Sequence, residues 1–201
     1  DSQTGIITTY AGNGTSGFSG DNQSATQATL DSPNGLAIDT NGHLFIADSN
    51  NNRVRRVDKI SGIITTVAGD GSFSYSGDGT PAIDSSLKSP QDVAIDKQGN
   101  LLIADPFNNR IREVNLVTGI ITTIAGDGSF GYSGDAGEAV FASFRHPEGI
   151  TVNQPGNIFV ADSSNHRIRR IEVATGVITT FAGNGTEGFQ GDNASSLNES
   201  F

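Results

Sequence analysis

Three carboxylates, Asp48, Asp105 and Asp162, recur at intervals of 57 residues, each closing an apolar run. Each is followed five positions later by an arginine: Arg53, Arg110 or Arg167. A carboxylate beside a guanidinium can act as an acid, a base or half of an ion pair. Catalytic groups work at one place, whereas these occur in every copy. The triplet therefore reads as structure, with the Asp capping a turn or pairing with the Arg. Positions that differ between copies are better candidates for function, because a shared scaffold does not explain them. Asn34, Gln91 and Glu148 hold one such position, directly after Pro33, Pro90 and Pro147. Asn50, Phe107 and Ser164 hold another, within an Asn-rich turn, where Phe107 would be a solitary exposed ring. These six residues are the candidate binding set, and no catalytic residue is assigned.

The Gly-rich stretch from Gly69 to Asp78 invites comparison with ion-binding loops. A phosphate cradle needs a following helix N-terminus and usually a Lys, and neither is present. A Ca²⁺ loop of the EF-hand kind needs alternating Asp/Asn ligands and a terminal Glu, which are also missing. Turn chemistry explains the stretch: Gly supplies positive φ and Asp accepts local backbone bonds. No metal site is expected, and Ca²⁺ is the one cofactor the composition leaves open. An aromatic recurs in the same loop of each copy (Phe18, Tyr75, Tyr132, Phe189), as packing requires. His43, His146 and His166 lie in different connections without metal-ligand spacing.

Five Asn-x-Ser/Thr sequons, at Asn13, Asn22, Asn184, Asn193 and Asn198, are candidate N-glycosylation sites. The formal net charge of −10 argues against nucleic acid and against anionic membrane surfaces. No apolar run approaches the roughly 20 residues that span a bilayer. Without Cys there are no disulfides or thiolate sites. The chain contains no Met and opens Asp1-Ser2-Gln3, which reads as a processed or excised segment.

The elements that must position these residues follow from the repeat itself. Gly-Ile-Ile-Thr-Thr-x-Ala-Gly begins at Gly5, Gly62 and Gly119, and a Gly-Val-Ile-Thr-Thr variant begins at Gly176. Residues 1–201 thus form a single array of about three and a half repeats, the fourth incomplete. Each repeat carries four strand-like runs: Gly35 to Asp39, Leu44 to Ala47, Arg53 to Val57 and Ile63 to Ala68 in the first. The second is apolar on both faces, as for a strand between two layers. In the fourth, strict alternation places Ile63, Thr65 and Val67 on one face and Ile64, Thr66 and Ala68 on the other. No segment reads as a helix. Four antiparallel strands per repeat predict an all-β fold, the β-propeller, in preference to a β-solenoid with its shorter coils. Alternating strand direction brings the Asn-rich turns and the long Gly-rich loops out on one face, where binding residues concentrate.

The frame Pro147-Glu148-Gly149-Ile150-Thr151-Val152, Gly156 to Asp162, then Asn165-His166-Arg167-Ile168-Arg169 resembles the NHL repeat, and the other copies share it. The Gly-Ile-Ile-Thr-Thr-x-Ala-Gly extension is similar to the long-repeat branch of secreted and cell-surface proteins, teneurins included. The resemblance implies blades of a ring, most often six, or of a longer array, serving chiefly as a binding platform. It implies an extracellular or cell-surface setting and a protein or glycan ligand on the long-loop face, without catalysis. Two alternatives accompany it. One is a structural subunit of a filament or adhesive array, built from copies of this chain. The other is a Ca²⁺-dependent hydrolase or lyase in the channel, as in lactonase-like propellers, with Glu148 as its only acidic residue at the channel mouth.

Overall fold

The computed structural model describes residues 3–189 and 195–198 and is all-β. A two-residue strand, β1 (Gln23–Ser24), precedes a first blade of β2 (Pro33–Ile38), β3 (Leu44–Asp48), β4 (Arg53–Val57) and β5 (Ile63–Ala68). A second short strand, β6 (Thr80–Pro81), precedes β7 (Asp92–Ile95), β8 (Leu101–Asp105), β9 (Arg110–Val114) and β10 (Ile120–Ala125). The third blade is β11 (Pro147–Val152), β12 (Ile158–Asp162), β13 (Arg167–Glu172) and β14 (Val177–Ala182). All neighbours are antiparallel, as the β-propeller reading requires. The innermost strand of the first blade begins two residues before Gly35, at Pro33. Single 3₁₀ turns join the second and third strands of every blade.

Side-chain alternation fails at the start of β2, where the pairing jumps from Pro33↔Asp48 to Leu36↔Ile46, and again in the outer pair of each blade. Between β4 and β5 the pairing jumps from Val54↔Ala68 to Arg55↔Thr66, and the other blades have the same bulge. The extra residue turns Ala68 onto the face opposite Ile64. Ala68 accordingly packs with Phe45, Val54 and Val93 between blades one and two, while Ile64 packs with Ile46, Val57 and Ala28 on the other side. The expectation that Ile64 and Ala68 share a face is corrected by this bulge. Apolar layers lie between blades one and two and between blades two and three, the latter built from Leu102, Ile111, Phe144, Ile150 and Val160 among others. On the outward face of blade one the corresponding residue is uncovered: Leu36 is 59% exposed, against 3% for Val93 and 6% for Ile150.

The long loops are fastened to the blades by one buried arginine each. Arg55, Arg112 and Arg169 are fully buried. Arg55 reaches Asp48 (3.3 Å) on its own blade and Asp21 (2.7 Å) on the incoming loop, and donates to the Ser19 carbonyl. Arg169 does the same with Asp162 (3.4 Å), Asp135 (2.8 Å) and the Ser133 carbonyl. Their guanidinium groups lie near the Phe18 and Tyr132 rings. The loop aromatic is therefore packing, as its recurrence indicated. The repeated Asp pairs with the arginine seven residues on, not five. Arg53, though opposite Asp48 in the ladder, turns its guanidinium to the Asn51 and Asp70 carbonyls and over Phe18. The capping half of the expectation holds: Asp48 accepts from the Asp31 N–H and from the Asn51 amide. Having reached its blade, the loop adds β1 or β6 to the outermost strand, covering an edge that would otherwise template aggregation.

Blade two departs from this scheme. Arg112 bonds Asp78 (3.0 Å) and the Gly77 carbonyl, but its Nη1 has no hydrogen-bond partner and none of its bonds goes to Asp105. Burial raises the carboxyls of Asp48, Asp105 and Asp162 alike, and Asp105 is pushed up to about 6. A direct guanidinium contact opposes desolvation in the other two blades and is missing here. Asp135 behaves oppositely: burial pushes it up, but bonds from Thr180 and Tyr132 and the Arg169 charge outweigh that and hold it low.

Two measurements check this arrangement. Arg112→Ala strips Asp78 of its ion pair and empties a fully buried site, and should cost about 2 kcal/mol or more in chemical denaturation, whereas Val117→Ala, at an exposed turn, should leave the midpoint unchanged. The Asp105 carboxyl resonance should titrate near pH 6. Because its folded value lies above the unfolded one, protonation favours the fold. Its stabilising contribution is full below about pH 4 and is lost as pH rises through about 6, a window that Asp105→Asn should flatten.

Candidate functional site

The channel mouth is built where the innermost strands of successive blades meet. Gly35 N–H donates to the Gln91 carbonyl (2.9 Å), and Ser49 Oγ donates to the Pro90 carbonyl (2.6 Å). These bonds set the starts of β2 and β7 side by side. Asn34 Nδ2 then donates to Gln91 Oε1 across the gap. Asn34, Gln91 and Glu148 line one recess of about 380 Å³ with Gly35, Asp92 and Gly149. The three post-proline positions are thus brought together, with Asn34 and Glu148 exposed.

Asp92 belongs to this recess and was not picked out from the sequence. It stands where the other copies have Gly35 and Gly149. One carboxyl oxygen accepts from the Val93 N–H and the other from the Ile150 N–H of the next blade, each at 2.9 Å. Gly35 must lack a side chain, because a Cβ there would meet Asp92 Oδ1 at 2.1 Å. The signal was available as the one non-glycine at that repeat position. With Asp92 engaged by backbone donors, Glu148 is the one acidic lining residue left without such bonds. Among the described residues no three His, Asp or Glu side chains converge to share an ion.

The Asn-rich turns share this end of the molecule with the long loops, held by side-chain bonds between them. Asn51 donates to the Gly17 carbonyl and Asn52 to the Gly71 carbonyl. Asn52, Asn109 and His166 hold the left-handed position that ends each 3₁₀ turn, with φ near +50°. The side-chain Oδ1 atoms of Asn52 and Asn109 in turn accept from the N–H of Ser89 and His146, the pre-proline residues of the following blade. Each blade therefore sets the loop exit of its neighbour.

The second candidate position divides by copy. Asn50 donates to Asp31 Oδ1 (3.0 Å) and Ser32 Oγ (2.8 Å), forming a small polar knot. Bonds from Asn50, then Ser16 and Ser32, hold Asp31 below the usual carboxylate range. Ser164 Oγ lies 3.5 Å from His146 Nδ1. Phe107 is 45% exposed, but it is not solitary: it contacts Phe73 and His146, and His146 contacts Phe130. Phe73, Phe130 and His146 had no assigned role in the sequence reading, and their association requires loops from two blades to meet.

The sequons lie apart from these groups. Asn13 and Asn184 each use the side-chain amide to bond a backbone carbonyl, of Gln27 and Asn198 respectively, while accepting from an N–H two residues on. Asn22 has a left-handed backbone, and Asn198 is exposed. Asn193 lies outside the described residues.

Comparison with known proteins gives this geometry a family. Residues 11–76 match the family model described as the teneurin NHL domain, and residues 144–171 match the NHL repeat. NHL repeat-containing protein 2 of Bos taurus is 31% identical over 74% of this chain and 22% of its own length. Protein SUPPRESSOR OF QUENCHING 1, chloroplastic, of Arabidopsis thaliana is 32% identical over 86% of this chain and 17% of its own length. The chain thus spans about a fifth of these relatives. A solved Bacteroides thetaiotaomicron protein of unknown function superposes with a TM-score of 0.66 at 20% identity, over 84% of this chain and 40% of that one. Repeat frame, blade architecture and these likenesses agree: the chain is built of NHL-type repeats folded as β-propeller blades.

Proposed function

We propose that the array is a non-enzymatic binding platform that engages a protein ligand through its long-loop face. The observation that carries this reading is where the copies diverge. Within a common frame of strands, Arg locks and Asn clasps, Asn34/Gln91/Glu148 and Asn50/Phe107/Ser164 change from blade to blade and present side chains at one end. Rigid scaffolds with variable loops are how binding surfaces are made. The one other carboxylate in the recess with Glu148, Asp92, is engaged by the Val93 and Ile150 N–H groups, which does not favour a division of acid and base roles between them. Beads carrying the chain should capture partners from a native extract. The combined variant Asn34→Ala, Gln91→Ala, Glu148→Gln and Phe107→Asn should cut capture at least tenfold without moving the thermal midpoint. Equal capture by the variant would overturn the platform, and turnover of lactone or ester panels with added Ca²⁺, lost in Glu148→Gln, would restore the hydrolase alternative.

The setting we infer is extracellular or cell-surface, supported by the teneurin NHL match and by sequons on exposed loops. Native chain should then exceed its sequence mass by whole glycans at Asn13, Asn22, Asn184, Asn193 or Asn198; an unmodified mass would remove that support.

A second reading, self-assembly into a ring or filament, is favoured by one observation. Leu36 and Ile38 on blade one and Phe181 on blade three are exposed at the two ends of the array. Light scattering of the purified chain should then give a discrete dimer or longer particles, and a monomer at every concentration would exclude it.

A further inference from the structure

The long-loop face over blades two and three carries four rings in a row. Phe73 lies 5.8 Å from Phe107, Phe107 5.0 Å from His146, and His146 5.5 Å from Phe130. Phe73 and Phe130 are 56% and 58% exposed. Lys88 caps one end, its ammonium 4.9 Å from the Phe73 ring, and Arg145 caps the other, 4.7 Å from Phe130. Among the described residues neither cation makes a salt bridge, whereas the arginines at the blade centres are all paired. The row is rigidly supported. Phe73 and Phe130 form bridges to Leu87 and Phe144, immediately before the two cations. The backbone N–H groups of Lys88 and Arg145 are held by the buried Asp105 and Asp162.

The scaffold does not require any of this. At the equivalent positions the first copy has Ser16, Asp31, Ser32 and Asn50, a polar and acidic set that closes on itself. Aromatic and cationic residues replace it in copies two and three only. In a chain of net charge −10 this is a local reversal of sign.

Resting on the platform reading above, we propose that the Phe73–Phe107–His146–Phe130 row, with Lys88 and Arg145, is a docking site for an extended acidic peptide segment bearing apolar side chains. Ring geometry selects this occupant. Successive rings are inclined by 51°, 52° and 71°, so the row presents a stepped apolar ridge in place of the flat platform on which a sugar or a base stacks. Their spacing is close to the roughly 6.6 Å between alternate side chains of an extended chain. Apolar side chains of the ligand pack against the exposed parts of Phe73, Phe107 and Phe130, and its carboxylates meet the two cations. Cations over ring faces are already partly desolvated, so an incoming carboxylate displaces little water.

The test is fluorescence anisotropy with the 201-residue chain and a labelled twelve-residue peptide alternating Glu and Phe. Binding should weaken at least tenfold in Phe107→Ala and be lost in Lys88→Glu/Arg145→Glu, with unchanged thermal midpoints. It should be unaffected by Lys59→Glu, a charge reversal in the exposed turn between β4 and β5, and should weaken with salt, as exposed charge pairs do. No binding, or equal binding by the charge-reversed protein, overturns the proposal. So does tighter binding of oligo-dT or of a sulfated oligosaccharide through the same residues. If the peptide fails while bead capture still depends on the channel-mouth residues, the acidic-peptide site falls and the platform stands.

Discussion

A guanidinium buried at the centre of each blade is the constraint on which the rest of the molecule depends. Removing a charge from water is expensive, and it is tolerated only where opposite charge and hydrogen bonds compensate. Arg55 and Arg169 obtain that compensation from two directions at once: a carboxylate on their own blade and a carboxylate plus carbonyl on the incoming loop. The loop cannot leave without stranding the charge. A segment of some twenty residues, rich in glycine and without a core of its own, is thereby given one conformation, and its edge strand, its aromatic and its exposed tip all follow.

The same lock connects structure to surface. The blade-centred Asp that faces the arginine also fixes the backbone of Lys88 or Arg145, and the Asn clasp of one blade fixes the pre-proline residue of the next. Variation at exposed positions is therefore free of any folding role, and the copies use that freedom differently. Copy one closes its polar residues on each other, whereas copies two and three leave rings and cations open to solvent. The relaxed pairing in blade two, where Asp105 lacks its guanidinium contact, shows that the frame tolerates one imperfect lock.

Parts of the site were legible at once and parts were not. The clustering of Asn34, Gln91 and Glu148 followed from counting, because equivalent residues of successive blades must converge on the axis. The partner of Asp48 did not, because sequence separation does not say which of two arginines turns inward; that depends on where the incoming loop brings Asp21 and the Ser19 carbonyl. Phe107 read as solitary because its neighbours, Phe73 and His146, lie 34 and 39 positions away on loops that meet only in the folded array. Asp92 was hidden by a glycine position whose meaning depends on how close two blades approach.

By itself the sequence determined the repeat, its four strands, the NHL family likeness and the end of the molecule at which variable residues gather. Those are consequences of period, alternation and turn chemistry, which act locally and recur in each copy. Only the tertiary structure decided which arginine is buried, which face each outer-strand residue takes beyond the bulge, and which exposed rings touch. These depend on packing between segments far apart in the chain, where a shift of one residue reverses a side chain's direction and no local pattern records it.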